Sequence, residues 1–435
     1  MEDDLVCTYQ NDYSNWRCPR GTLKSEEYQS NFCNLHDGKC QIDDAEFSEA
    51  VQSLISIQQD DPAITTIHLD GIHFRTDFSL LYRSFTKRVS FSNAVFYNKV
   101  KITDTTFEKG ALWGFCLFND EVEFNRVKFS SIANFSETVF KKALKFRLTN
   151  FYGATFVKAS FEEGGQFNHS TFDDFASFRN IRIPTLSKVV SFYFIQFLSG
   201  RRTWFEEVDL SRISFIECDL RYVKFIDVEW VKPKWPACKR KCLVDEFSNF
   251  RDEKLLPKHL ERVRGEYQQL KLNYEEARNF ADAGDFYYGE MECLRKSLGP
   301  KRFLPTLTTI YWFSTGYGEK PLRAGSNLIV LIILWVCCLM SWGLNPTSVN
   351  SGYQGIDYEF SWYFSNFSAL VKDGLNTFTY VIEILLREEK TSRIYSPVPA
   401  QGRWFSGDGI NVIGFILVYL QALLFALAVR RRFRR

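Results

Sequence analysis

An excess of charge of one sign is the first thing this 435-residue chain lacks. Its 54 Lys and Arg face 52 Asp and Glu. A nucleic-acid binder uses a basic excess, so no nucleic-acid partner is expected. Cysteine is sparse: 11 residues are too few for the dense disulfide framework of a small secreted scaffold. No charged n-region, apolar h-region and cleavage site opens the sequence, so the soluble part is expected in a reducing cytosol. Histidine is nearly missing, at 5 residues, and no acid, base, nucleophile or phosphate-binding loop clusters, so an enzyme is not expected. What abounds is aromatic. The 42 Phe, 20 Tyr and 10 Trp make up 17% of the chain, too much for disorder or linkers. At about 150 residues per domain the length fills two or three domains.

The aromatics are periodic. A large apolar residue recurs at steps of five and six from Phe91, Phe96, Ile102, Phe107 and Trp113 through Phe135 and Phe151 to Phe178. A small or aliphatic residue stands two places before each, as at Val89, Ala94, Val100, Thr105 and Ala111. Irregular stretches surround Pro184 and Gly200, and the pattern returns at Leu210, Phe215, Leu220, Phe225 and Trp230. An 11-residue period also suits a right-handed helical supercoil. However, residues five apart on an α-helix lie about 140° apart and would bury nothing together. Extended backbone solves this, because residues i−2 and i point to one side of a strand and a corner after each pair starts the next wall. Asn, Asp, Ser, Thr, Lys and Gly between the pairs suit those corners.

This pattern resembles the pentapeptide-repeat family, over more than twenty positions between Thr65 and Trp230. The resemblance implies a mainly β fold, a right-handed quadrilateral β-helix with the large residue at the centre of each wall. Four walls give about eight coils and, at ~4.8 Å per stacked strand, a rod of about 40 Å. Some members mimic DNA through a strongly acidic face. Here 19 acidic residues meet 22 basic ones between Thr65 and Trp230, so the rod reads instead as a spacer or docking surface for a cytosolic protein partner. His68, His73 and His169 are isolated and read as surface residues.

The first 40 residues hold Cys7, Cys18, Cys33, His36 and Cys40. Cys33-x-x-His36 has ligand spacing, and Cys7 with Cys18 would complete a tetrahedral zinc site. Cys40 is a rival fourth ligand, and unligated buried thiols are a third reading. The stretch Cys7, Tyr9, Trp16, Cys18, Pro19, Cys33, His36, Asp37 is similar to the "C-x-Y … W-x-C-P … C-x-x-H-D" opening of membrane-linked pentapeptide-repeat proteins. Four protein ligands leave no open position, so such a zinc would be structural. Asp44 to Gln58 reads as a short amphipathic helix closing the exposed coil end. Cys238 and Cys242, among basic residues, read as loop.

Beyond the rod, Leu260, Val263, Tyr267, Leu270, Tyr274 and Ala277 form an apolar helical stripe. Ala283-Gly284 reads as a turn before a second helix from about Asp285. Leu304 to Phe313 reads as an interfacial stretch. Leu328 to Leu344 and the 20 uncharged residues Ile410 to Val429 read as membrane spans. Arg430, Arg431, Arg432, Arg434 and Arg435 follow as a headgroup anchor, and the positive-inside rule puts both chain ends in the cytoplasm. Ser314, Tyr317, Gly318, Glu319, Pro321, Leu322 and Arg323 look like the "YGE-x-P-L-R" membrane entry of the same relatives. The order span, short segment, span resembles two-transmembrane ion channels. In that comparison Leu375 to Leu386 takes the pore-helix place, with Asn376, Thr377, Thr379, Tyr380 and Glu383 as candidates. No T-x-G-Y-G follows Thr377 to Tyr380, and an external amphipathic helix is the other reading.

The expected organisation is a zinc motif at 1–42, a capping helix at 43–62, the β-helix at 63–232, a helical neck at 251–300 and an interfacial segment at 301–323. Spans follow at 324–345 and 409–430, separated by an extracytoplasmic or re-entrant segment at 346–408 and closed by a basic tail at 430–435. The expectation is a bacterial inner-membrane protein in contact with lipid, a homo-oligomer around the second span, whose β-helix is a partner-binding or sensing scaffold for a channel-like membrane domain. A pore-forming defence or stress effector fits the same layout.

Overall fold

The computed structural model describes residues 9–10, 18, 33, 35–37, 43–185, 188–232, 240–247, 256–298, 307–347, 354–356, 367–389, 392–398 and 407–433. They belong to two compact units, Met1–Gly299 and Pro300–Arg435. The first is built around a β-solenoid of about seven turns. Parallel sheets of eleven, five and seven strands run along it. Equivalent aromatics stack in register: Phe124 lies beside Phe146, 22 residues on, and Phe146 beside Phe167, 21 residues on. Phe167 meets Phe192 only after 25 residues, because the stretch around Pro184 is taken up as a longer turn. The lengthened turns use up sequence, which is why the coil number falls short of the expected eight.

The interior is four aromatic ladders. One runs Phe74, Phe96, Phe118, Phe140, Phe161 with ring centroids 4.4, 4.6, 5.1 and 5.5 Å apart. A second climbs from Phe85 through Phe107, Phe129, Phe151 and Phe172 to Phe197. The third joins Phe124, Phe146, Phe167, Phe192 and Phe215. The fourth joins Phe91, Trp113, Phe135, Phe156, Phe178, Phe205 and Phe225. Most steps are close to the strand spacing. Neighbouring ladders meet edge to face, as Phe124 does Trp113 at 88°, a favoured geometry for aromatic quadrupoles.

The smaller residue of each pair does more than leave room. Several polar ones donate to a carbonyl one turn back, as the Cys116 thiol does to Phe91 (2.9 Å) and the Thr138 hydroxyl to Trp113 (2.5 Å). These bonds satisfy backbone acceptors among fully buried side chains.

The corners meet the expectation of polar turn residues at Asn93, Asp104, Lys158 and Asn180 and depart from it at others, such as Tyr82, Phe115 and Leu148. Two series of left-handed residues mark them, Tyr82, Asp104, Arg126, Leu148 and His169, and Asn93, Phe115, Glu137, Lys158 and Asn180. The left-handed region costs a non-glycine residue roughly 1–2 kcal/mol. A bond between turns offsets this at each corner: Phe115 N donates to Ser136 O (3.0 Å), and Leu148 N to Asn168 O (3.0 Å). Only the tightest approaches require glycine. At Gly110 a Cβ would stand 2.3 Å from the Ile132 carbonyl of the next turn.

Helices close both ends. α1 (Asp44–Asp60) is capped by Asp43, which accepts from Ala45 N, and buries Phe47, Val51, Leu54 and Ile55 against the first turn. Its Gln58 pairs with the free strand as a peptide group would: Oε1 accepts from His68 N (2.8 Å) and Nε2 donates to His68 O (3.1 Å). At the far end α2 (Leu256–Glu276) does the same with Gln269, which accepts from Leu220 N (2.7 Å) and donates to Cys218 O (3.1 Å). Asn273 adds bonds to the carbonyls of Leu220 and Val223. The apolar stripe Leu260, Val263, Tyr267, Leu270 joins the solenoid core. The expected turn at Ala283-Gly284 is misplaced. α2 ends at Glu276, Arg278 takes a left-handed φ of 57°, and Asn279 accepts from Asp282 N to start α3 (Phe280–Ser297). Both Ala283 and Gly284 are buried within α3. A local cap outweighs the weak helix propensity of glycine here.

The second unit contains α4 (Leu307–Thr315), α5 (Pro321–Trp342), α6 (Phe367–Leu385) and α7 (Gly407–Phe433). A short antiparallel pair joins Leu344–Pro346 to Tyr395–Pro397. α5 and the stretch Gly407–Arg432 of α7 are long and apolar enough to cross a membrane, and 28% and 17% of their apolar windows are buried. Most of that apolar surface is therefore uncovered within the chain.

Candidate metal centre

Cys18, Cys33 and His36 come together, all three buried, with ligand atoms within 4.8 Å of one another. A tight turn makes the pair Cys33-x-x-His36, because the amides of His36 and Asp37 both donate to Cys33 O (3.0 Å each). The sulfurs of Cys18 and Cys33 are 3.8 Å apart, and Cys33 Sγ lies 3.1 Å from His36 Nδ1. Ligands about 2.3 Å from one tetrahedral ion sit about 3.8 Å from each other, which the two sulfurs match, whereas the Cys33–His36 pair stands closer than that. His36 Nε2 donates to the Asp70 carbonyl (2.8 Å), which fixes the tautomer and turns the unprotonated Nδ1 toward Cys33 Sγ. Tyr9 stacks on the imidazole at 4.3 Å and 8°. Cys7 and its rival Cys40 lie outside the described residues.

The cluster is bound to the solenoid through residues that sequence reasoning missed. Asp70 is fully buried. One carboxylate oxygen faces His68 Nδ1 at 2.8 Å, and the other accepts from the Ser90 hydroxyl and from Ser92 N (2.9 Å). The Leu35 carbonyl accepts from His73 N (2.9 Å), and Arg75 donates to the Asp37 carbonyl. The only signal for Asp70 was the turn dipeptide Asp70-Gly71. His68 and His73 are thus not isolated. The first pairs with Asp70, and the second reaches Tyr97 OH at 3.2 Å. His169 packs against Tyr193 and Phe194. Cys242 is buried near Val231, apart from the cluster, and Cys238 lies outside the described residues.

The membrane candidates divide differently. In α6, which begins eight residues before the expected Leu375, Thr377, Tyr380 and Glu383 are buried and Thr379 is exposed, while Asn376 is half-buried. Tyr380 OH accepts from Asn411 Nδ2 (2.9 Å) of α7, and Glu383 accepts from Ile394 N (3.3 Å). Of the terminal arginines, Arg430 and Arg432 are exposed, and Arg434 and Arg435 lie outside the described residues. Arg431 has a different role: it donates to Tyr317 O (3.1 Å) and stands 3.9 Å from Glu319. It thereby pins the turn Gly316-Tyr317-Gly318, whose three φ values are 57°, 61° and 80°. Gln421 donates to Ser314 O and Ala324 O on the same turn region.

No known protein family, curated protein or solved structure matches this chain. Its functional reading therefore rests on the residues themselves.

Proposed function

We propose that this chain is a non-enzymatic membrane protein of pentapeptide-repeat type. Its right-handed quadrilateral β-helix is a cytosolic scaffold for a protein partner, carried by a neck on an oligomeric, channel-like hairpin of the inner membrane. One observation carries the reading: a capped solenoid and two long, largely uncovered apolar helices share one chain. The four ladders support four walls per coil. Exposed charges pair from turn to turn, as Arg126 does with Asp104 (2.6 Å) and Lys142 with Glu163 (2.8 Å), which leaves a charge-balanced flank suited to a protein partner rather than to mimicry of DNA. Purified chain reconstituted in liposomes is expected to carry an ion flux that protein-free liposomes lack. Vesicles that stay tight would leave the scaffold and remove the channel. Protein that stays in solution without detergent would remove the membrane reading altogether.

Cys18, Cys33 and His36, with Cys7 as fourth ligand, are proposed to hold a structural zinc. Such an ion would fasten the N-terminal segment to the first turn. About one zinc per full-length chain is expected by elemental analysis. Cys33→Ser should fall below half that, and should also lower the protection of first-turn amides in hydrogen exchange. A metal-free wild-type protein would sink the assignment.

A further inference from the structure

We propose that the cavity between the last turns of the solenoid and α2 binds an alkylammonium group, the cation of a lysine side chain, with Glu266 as its counter-ion. The cavity measures about 770 Å³, with Phe194 and Leu198 on its apolar wall and Glu266 among its lining. α2 lays four polar residues on the solenoid end, at Arg262, Glu266, Gln269 and Asn273. Three are satisfied there: Arg262 by Glu217 at 3.0 Å, and Gln269 and Asn273 by backbone. Glu266 accepts from the amides of Glu217 and Cys218, yet its Oε2 has no partner in a side chain only 2% exposed.

Among the described residues no cation pairs with it. On the solenoid, Arg221 is held by both oxygens of Asp219 (2.8 and 2.6 Å). On α2, Arg262 is taken by Glu217, and Glu261 is a further acid at the cavity. Asp245, on the short helix Val244–Phe247, adds like charge. Burial, helped by Asp245 and Glu217, pushes the Glu266 carboxyl up to about 8. Near neutral pH it therefore holds a proton where a counter-ion is missing.

A second observation points the same way. Gly265 sits inside α2, where glycine weakens a helix relative to alanine. In α3 such a glycine is demanded by a close neighbour: at Gly289 a Cβ would fall 2.5 Å from the Tyr267 ring. At Gly265 it would meet nothing within 4 Å. The space beside Glu266 is left open on a helix that had room to fill it. A cavity with an apolar wall and a buried, uncompensated carboxyl in its lining matches a methylene stem ending in an ammonium. When the ammonium binds, the carboxyl releases its proton to solvent and the two charges pair.

The test is calorimetric titration of the full chain in detergent at pH 6.5 with n-butylamine and with a short lysine-containing peptide, each in two buffers of different ionisation enthalpy. Saturable binding with net proton release is expected. Glu266→Gln should weaken binding at least tenfold and abolish the proton release. Gly265→Leu keeps Glu266 but places a bulky side chain in the cavity beside it, and should also abolish binding. Tighter binding of the peptide would assign the site to a partner's lysine, and tighter binding of the amine to a small metabolite. Absence of saturable binding of both probes overturns the proposal, as does equal binding by Gly265→Leu, which decides the matter even if Glu266→Gln fails to fold.

Discussion

Phe135→Ala should cost the solenoid about 3–5 kcal/mol. The ring is fully buried, stacked between Trp113 and Phe156 at 6.2 and 5.0 Å, with Phe124 and Phe146 edge-on at 5.8 and 5.6 Å. Its transfer from water accounts for roughly 1.5–3 kcal/mol. The remainder comes from the void, because the surrounding wall is hydrogen-bonded from turn to turn and cannot collapse inward. Tyr152, 47% exposed on the outside, is the internal control, and Tyr152→Ala should change stability by only about 0.5 kcal/mol. Denaturant titration of both variants checks this. A Phe135→Ala loss below about 1 kcal/mol would mean that the ladder is not what holds the turns together.

Glu246→Ala is expected to destabilise the neck by a similar amount, about 3–5 kcal/mol. Glu246 and Arg240 are 1% and 5% exposed and 2.6 Å apart. Tyr267 OH donates to the same carboxylate at 2.7 Å, and Lys296 lies 3.0 Å away. Removing the carboxylate strands a buried guanidinium beside the Tyr267 and Tyr288 rings. Arg240→Met with Glu246→Leu removes both charges and should recover most of the loss, since an apolar pair needs no desolvation of ions. Acid adds a further check. Burial works to raise the Glu246 carboxyl, but Arg240 and Lys296 hold it below the usual carboxylate range. Its contribution is therefore present above the unfolded carboxyl pKa of about 4.3 and is lost as pH falls through the lower folded value. A wild-type neck with no stability loss below about pH 4 would contradict the assignment.

The interior was legible because burial speaks through period. Steps of five and six cannot serve a helix, and the large residues from Phe91 to Phe225 are where the ladders stand. The corners were legible only in part. Phe115 and Leu148 carry none of the turn chemistry that marks a left-handed residue, and an amide bond to the next turn holds them there. The same holds at the metal cluster. Cys18, Cys33 and His36 are ligand types at ligand spacing, whereas Asp70 acts through its carbonyl, which every residue possesses. Arg431 looked like one of five equivalent arginines; only the fold shows that Tyr317 and Glu319 claim it.

The paired glutamines Gln58 and Gln269 bear on how copies of this chain can meet. A parallel solenoid is a natural seed for polymerisation, since its last rung is a template for the first rung of another molecule. Here each terminal rung already holds a side-chain amide in both donor and acceptor sense, so head-to-tail fibres have nowhere to start. Self-association is thereby diverted to the flanks or to the apolar helices.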